Sequence, residues 1–299
     1  MNWGLALSGG ALRGAAHIGV LAVLEENDLA PDYIAGTSSG SLVAALYALG
    51  FSARHMQEIM QELSAARLYD LNISWRSFWN LLFNLILYIL RAPPQLYRQL
   101  PDGLLRGAKL AEWIDSVTMH KRFYDTHIPL AVMATDIQSG EPICFHSAGQ
   151  RLERAALSQS LTMVEGNNLV DALRASTAIP GVFSPVKKHG RTLVDGGVVD
   201  NLPSEVLRAM GANRVLAVNL GYPGQQQKSL DNAFTIAAQA VDIMARQITL
   251  MRGVRAADYV INPKIYDVGL TDFHKLQECM ERGEKAASEA LPDIRVLLS

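Results

Sequence analysis

Three short segments carry residues whose types and spacing could do chemistry. The first is Gly36-Thr37-Ser38-Ser39-Gly40, which matches the pattern G-x-S-x-G. A serine nucleophile has to project from a sharp, strained turn between a strand and a helix. Glycines two residues to either side let that strand and helix approach without Cβ clashes. The following helix then aims free N–H groups and the positive end of its dipole at the site. The pattern is short enough to arise by chance, and a Gly/Ser turn without chemistry is the alternative. Its context favours chemistry: an apolar strand precedes it and a helix-forming stretch follows.

The second segment is Ser8-Gly9-Gly10-Ala11-Leu12-Arg13-Gly14. A dinucleotide fingerprint would need glycine where Ala11 stands, and a P-loop would need Lys-Ser/Thr after Gly14, where Ala15-Ala16 follow. A third reading is an anion hole, in which backbone N–H groups of a Gly-rich loop face a carbonyl oxygen as it gains charge. Only this reading also uses Ser38. The third segment, Asp195-Gly196-Gly197, closes an apolar run. An Asp there can face the nucleophile across a sheet edge, although Asp-Gly-Gly alone is more often a turn.

A triad in the common hydrolase order needs a histidine after the acid. Only His274 lies beyond Asp195, and it opens a polar helix. His17 falls at core spacing in the first helix and His189 in a hairpin turn. The chain thus offers a nucleophile, an anion hole and an acid, but no histidine base.

The elements that must position these residues follow from periodicity. Trp3 to Leu7 is an apolar run broken by Ser8-Gly9-Gly10. Ala15 to Glu26 carries Ile18, Leu21 and Leu24 at helical spacing. Tyr33-Ile34-Ala35 is a short strand, and Ser41 to Leu49 a buried helix capped by Gly50. Pro129 to Ile137 and Pro142 to Phe145 flank a Ser139-Gly140 hairpin turn; Pro185 to Lys188 and Arg191 to Asp195 flank His189-Gly190. Arg214 to Leu220 and Tyr259 to Asn262 add strands. Ser229 to Arg255 reads as a long helix and His274 to Leu291 as a terminal one. This alternation predicts an α/β fold: a mostly parallel central sheet flanked by helices.

With 299 residues, 49% of them hydrophobic, the chain can bury one large domain. The expected division is a main domain over 1–222 and a mainly helical C-terminal extension over 223–299, packed on the same domain. A formal charge of −2 gives no basic excess for nucleic acid. Cys144 and Cys279 match no metal or redox spacing and read as buried thiols, which fits a reducing compartment. Met1-Asn2-Trp3 runs straight into the first strand without a signal-peptide pattern, so the cytoplasm is expected. Residues 74–91 (SWRSFWNLLFNLILYILR) depart from the pattern. This apolar insert is shorter than the ~18–20 apolar residues of a bilayer span. Two readings stand for it: an interfacial helix or lid giving peripheral membrane contact, or a helix packed on the core or on a second copy.

Together SGGALRG, GTSSG and DGG resemble, in this order, the three signature motifs of the patatin-like phospholipase family. Ala175 to Pro185 (ASTAIPGVFSP) resembles the family's segment before the acid. Gly103-Leu104-Leu105-Arg106-Gly107, Pro129 to Gly140 and Gly211-Ala212 agree as well. The resemblance runs from Trp3 to Leu220 and is nearest to small bacterial members. It implies the family's three-layer fold and a Ser-Asp dyad without histidine, with Ser38 as nucleophile and Asp195 as partner. It also implies an oxyanion hole from the N–H groups of Gly9, Gly10 and Ala11 with that of Ser39. Arg13, Gly14, Gly36, Gly40, Gly196 and Gly197 are the supporting motif positions. No cofactor and no metal are implied. Ser8 departs from the glycine common at its position, and the insert at 74–91 has no counterpart in the smallest members. Arg13 either reaches a lipid phosphate or braces the loop. The expected activity is hydrolysis of fatty-acyl esters by a lipid acyl hydrolase of phospholipase or lysophospholipase type. The alternatives are an esterase or thioesterase on soluble acyl substrates and a regulatory adaptor.

Overall fold

The structure is a computed structural model. It describes residues 2–71, 79–80, 83–84, 86–87, 90–91, 93, 101–147, 153, 157, 160–188, 190–221, 224, 233–269 and 271–299. Most of the apolar insert at 74–91, and His189, lie outside the described residues.

Strand β1 (Trp3–Leu7) leads through a 3-10 turn (Ala11–Gly14) into helix α1 (Ala15–Glu26). Strand β2 (Tyr33–Thr37) leads directly into α2 (Ser39–Ala48), followed by α3 (Ala53–Gln61) and α4 (Ala65–Leu68). Then come β3 (Gly103–Leu105), α5 (Ala108–Val117), β4 (Leu130–Asp136), β5 (Glu141–His146) and β6 (Thr162–Glu165). Helix α6 (Leu169–Ser176) precedes β7 (Gly181–Phe183), β8 (Val186–Lys188) and β9 (Arg191–Asp195). The chain continues with α7 (Ser204–Ala209), β10 (Arg214–Val218), α8 (Ala233–Thr249), β11 (Tyr259–Ile261) and α9 (Leu276–Leu298).

The main sheet runs β11-β10-β1-β2-β4-β5-β6, with β9 also on β4 and β8 on β9. Pairing is parallel from β11 across to β4 and between β5 and β6, and antiparallel where the hairpins β4-β5 and β8-β9 fold back. The mostly parallel sheet expected from the sequence is present. Period-two alternation gives its two faces. Leu5, Leu7, Ile34, Leu130, Val132, Leu216 and Val218 point into one core with α1, α2, α3 and α9. Ala6, Ala35, Ala131, Met133, Val215 and Ala217 point into the other, under α7. Both faces are covered, as a parallel sheet requires.

Helix α9 is packed hard on α1. A Cβ on Gly19 would lie 2.0 Å from the Met280 carbonyl oxygen, and one on Gly283 2.0 Å from that of Ala16. Only two glycines allow helix backbones to cross so closely. Helix α9 begins at Leu276, not His274, and runs past the expected end at Leu291 to Leu298, with Pro292 inside it. Proline removes one helical hydrogen bond. Burial of Ile294 against the core outweighs that loss. The long helix expected over 229–255 is α8, prolonged by a π turn at Leu250–Val254 where Gly253 lies against the Leu202 carbonyl. Helix α2 starts at Ser39, two residues earlier than expected, because the turn at Ser38 is sharp enough to need no linker.

Candidate active site

The register of β4 brings the candidate residues together. Strand β2 climbs one edge of β4 and ends with Thr37 opposite Met133. Strand β9 descends the same edge and ends with Asp195 opposite Ala134. The two strands therefore meet tip to tip, and Ser38 and Asp195 are the residues at the junction. Strand β1 lies on the other side of β2, with Leu7 opposite Gly36, so the loop after Leu7 emerges beside the same point.

Ser38 has φ 52° and ψ −127°, a backbone region that strains a residue with a Cβ. The surroundings hold it there. Its N–H donates to Ser176 Oγ at 2.9 Å. Its carbonyl accepts from the Ser41 N–H at 2.9 Å and from Ser41 Oγ at 2.6 Å. Gly36 and Gly40 are the close approach that their spacing suggests: a Cβ on Gly36 would lie 2.4 Å from the Gly40 carbonyl oxygen. One on Gly40 would lie 2.4 Å from that of Leu7. A Cβ on Gly14 would lie 2.5 Å from Ser39, and one on Gly196 2.5 Å from the Met133 carbonyl oxygen.

Asp195 is buried beside Ser38 and accepts the Gly197 N–H at 2.7 Å. Burial pushes its carboxyl up to about 6, against the opposing pull of the Ser38 hydroxyl and the Gly197 N–H.

In the loop after β1, the Gly9 N–H is engaged by the Asn201 carbonyl at 3.2 Å. It is therefore not a free donor, unlike its neighbours. The N–H groups of Gly10, Ala11 and Ser39 have no protein acceptor among the described residues. Ala11 has φ 52°. Gly9 serves instead by its lack of a side chain, since a Cβ would fall 2.6 Å from Asn201 Oδ1 and 3.0 Å from Ser38 Cβ. Arg13 Nε donates to the Gly10 carbonyl at 3.1 Å, which braces the loop. Burial lowers the Arg13 pKa, and the charge of Asp242 on α8 opposes that. Ser8 is tied down by its own bonds: its Oγ accepts the Leu220 N–H at 2.8 Å, and its carbonyl lies 2.8 Å from His17 Nε2. Burial pushes His17 down to about 4, so it is neutral and donates from Nε2. His17 thus fixes the loop from behind, and His274 is exposed in a 3-10 turn preceding α9.

Three further residues, none of them singled out in the sequence for a role, support this site. Ser176 supports the Ser38 N–H from the end of α6. Asp200, buried and pushed up to about 6 by that burial, offers its carbonyl to Thr37 Oγ1 at 2.9 Å. Asn201 bonds Gly9. Residues 200 and 201 thereby staple the loop after Asp195 to β2 and to the Gly-rich loop. Ser176 lies within the Ala175 to Pro185 block; nothing in the sequence distinguishes the other two.

Ser38 separates two spaces of opposite character. On one side is a recess of about 100 Å³ whose walls are almost wholly apolar, among them Leu42, Met60, Leu110 and Trp113. On the other is an open cleft of about 960 Å³ that includes Asp195, Asn201, Arg13, Asp242, Arg246 and Asn219. Ser38, Ala11 and Ile179 border both. Among the described residues no cluster of side chains could hold a metal ion, and no helix is long and apolar enough to cross a membrane.

An α/β sheet with a strained serine at a strand-helix turn and a Gly-rich loop alongside is the architecture of the serine hydrolase class. The chain belongs to the patatin-like phospholipase family, whose model matches residues 5–208. An uncharacterised NTE family protein of Mycobacterium tuberculosis is 28% identical over 255 residues, 85% of this chain and 58% of that protein. Patatin-like phospholipase domain-containing protein 6 of Homo sapiens is 29% identical over 221 residues, 73% of this chain and 13% of that protein. The chain thus spans little more than half of the first relative and a small part of the second. Among solved structures, VipD from Legionella pneumophila superposes with a TM-score of 0.50 at 15% identity, covering 98% of this chain and 67% of that one. That likeness is one of fold.

Proposed function

We propose that the chain is a serine acyl hydrolase of lipid-type acyl esters, working through a Ser38-Asp195 dyad. The observation that supports this reading is the tip-to-tip meeting of β2 and β9, which brings Ser38 and the buried carboxyl of Asp195 to one point on the sheet. Ser38 Oγ attacks the ester carbonyl carbon and its proton passes to Asp195. The oxyanion accepts hydrogen bonds from the N–H groups of Gly10 and Ala11, joined by that of Ser39. Asp195 then gives the proton to the leaving alcohol oxygen, and an acyl-enzyme remains. Water attacks next, Asp195 takes its proton, and the proton returns to Ser38 as the acid leaves.

The difficulty in such a dyad is basicity, since a free Asp has a pKa of about 3.9. Burial raises Asp195 to about 6, which narrows the gap. Hole donors held at fixed positions stabilise the oxyanion as it forms; losing one such donor costs ~3 kcal/mol in comparable sites. The apolar recess suits the acyl chain and the polar cleft suits the leaving group.

A second reading, an esterase on soluble acyl substrates, is favoured by the small volume of the recess, about 100 Å³. Labelling with a fluorophosphonate probe followed by peptide mapping tests the chemistry. Modification at Ser38 that is lost in Ser38→Ala is expected. A chain that resists labelling would stand as an adaptor using the fold for binding. A panel of phospholipids and short soluble esters separates the two enzymatic readings.

A further inference from the structure

We propose that the apolar recess beside Ser38 is an acyl site of limited depth, so that the preferred substrates carry acyl chains of about four to six carbons. The inference deepens the reading of Ser38 as nucleophile and rests on it.

The recess runs from Ser38 between α2 and the helices α3, α4 and α5. Met60 and Leu63 come from the C-terminal end of α3 and just beyond it, Leu68 from α4, Leu110 and Trp113 from α5. The remaining wall includes Leu276, at the start of α9. That residue lies outside the family-matched span of 5–208. Tyr69 lies between the rings of Phe183, at 6.3 Å, and Phe273, at 5.7 Å, and so forms a packed side of the recess. The hydroxyl of Thr177, another wall residue, is spent on the Leu173 carbonyl at 2.8 Å. The recess therefore has little to offer a polar group and much to offer an alkyl chain.

Its volume sets the length. An enclosed apolar cavity of about 150 Å³ accepts a six-carbon ring, so the ~100 Å³ here takes about four carbons. Trp113 and Leu63 are only partly buried, so small shifts of these two add room for one or two more. Each methylene that enters leaves water and adds affinity until the chain meets the far wall. A longer chain must overpack the buried Met60 and Leu110 or fold back out, and either removes the gain.

The test is kcat/KM across p-nitrophenyl acetate, butyrate, hexanoate, octanoate, laurate and palmitate, with dihexanoyl and dipalmitoyl phosphatidylcholine as a second pair. The expected maximum is at butyrate or hexanoate, with laurate at least about tenfold lower, and the dihexanoyl lipid preferred over the dipalmitoyl one. Trp113→Ala should move the maximum to octanoate or beyond, and Leu63→Trp should move it towards acetate. Both side chains are partly exposed, and the ratio between chain lengths within one variant does not depend on how much of it is folded. Ser38-dependent hydrolysis that stays level or rises through laurate, or variants that scale all lengths alike, would overturn this inference and leave the nucleophile assignment standing. A chain that neither labels with fluorophosphonate nor hydrolyses any ester in a Ser38-dependent way would overturn both.

Discussion

The N–H of Ser38 is bonded to the side chain of Ser176, 138 positions later in the chain, at 2.9 Å. The strained serine is thus held from beneath by the end of α6, where the Ala175 to Pro185 block begins. Ser176 is fully buried, so water cannot replace it cheaply. In Ser176→Ala the Ser38 N–H loses its acceptor, at a cost of ~1–3 kcal/mol. We expect lower thermal stability and a fall of about tenfold or more in kcat with KM little changed. Normal kcat together with normal stability would show that the Ser38 turn needs no such support.

The strain at Ser38 predicts a trade between stability and activity. Glycine occupies φ 52°, ψ −127° without the Cβ conflict. Ser38→Gly should therefore melt higher than the parent, by about 1 kcal/mol, while losing all esterase activity. Ser38→Ala removes the hydroxyl but keeps the Cβ and should not share the gain. Thermal melts of the two variants side by side make the comparison.

Asp195 gives a pH dependence of both rate and stability. Its carboxyl is raised to about 6 by burial, while the unfolded chain titrates near 3.8. The base must be ionised, so kcat/KM should rise with pH through about 6. Stability runs the other way. The folded state holds the proton more tightly, so this residue's contribution is full below the unfolded value and is lost as pH rises through the folded one. Asp195→Asn should be inactive, and should gain stability above pH 6, by at most about 3 kcal/mol, with no gain below pH 4. Melting curves of parent and variant across that window read the effect directly.

Arg13 braces the Gly10 carbonyl through Nε, which is a geometric task for a guanidinium and not for an ammonium. Arg13→Ala and Arg13→Lys should both lower kcat/KM, by a similar factor on charged phospholipids and on uncharged esters. Loss confined to phospholipids would instead assign Arg13 to the phosphate.

The legible parts of this molecule were those whose causes are local. The spacing of Gly36 and Gly40 around Ser38 reports a contact between backbones four residues apart, and the sequence pattern carries it whole. The apolar runs and their breaks marked eight strands and missed β3, β6 and β7, which are only three or four residues long, while alternating strands and helices indicated the parallel sheet. What stayed hidden was made by distant partners. Thr37 meets Asp200 across 163 positions, and Gly9 meets Asn201 through main-chain atoms that any residue possesses. That second bond is why Gly9, one of the four hole donors the family resemblance implies, is not free to be one in the structure. The recess was invisible for the same reason, since its walls come from six separate segments and no single periodicity marks them. Helix α9 outran its proline because the packing of Ile294 is tertiary and a breaker rule is not.

The crossing of α1 and α9 at Gly19 and Gly283 bears on how this chain can be taken apart. Helix α1 grows directly out of the turn that carries Ala11 and Arg13, and its outer flank is the backbone of the last helix. A piece cut at residue 208 would keep the whole span that the family model matches and still lack the surface on which α1 rests, together with Leu276 in the recess wall. The smallest excisable unit is therefore defined by a buttress and not by a signature, and for this chain it reaches to the final helix.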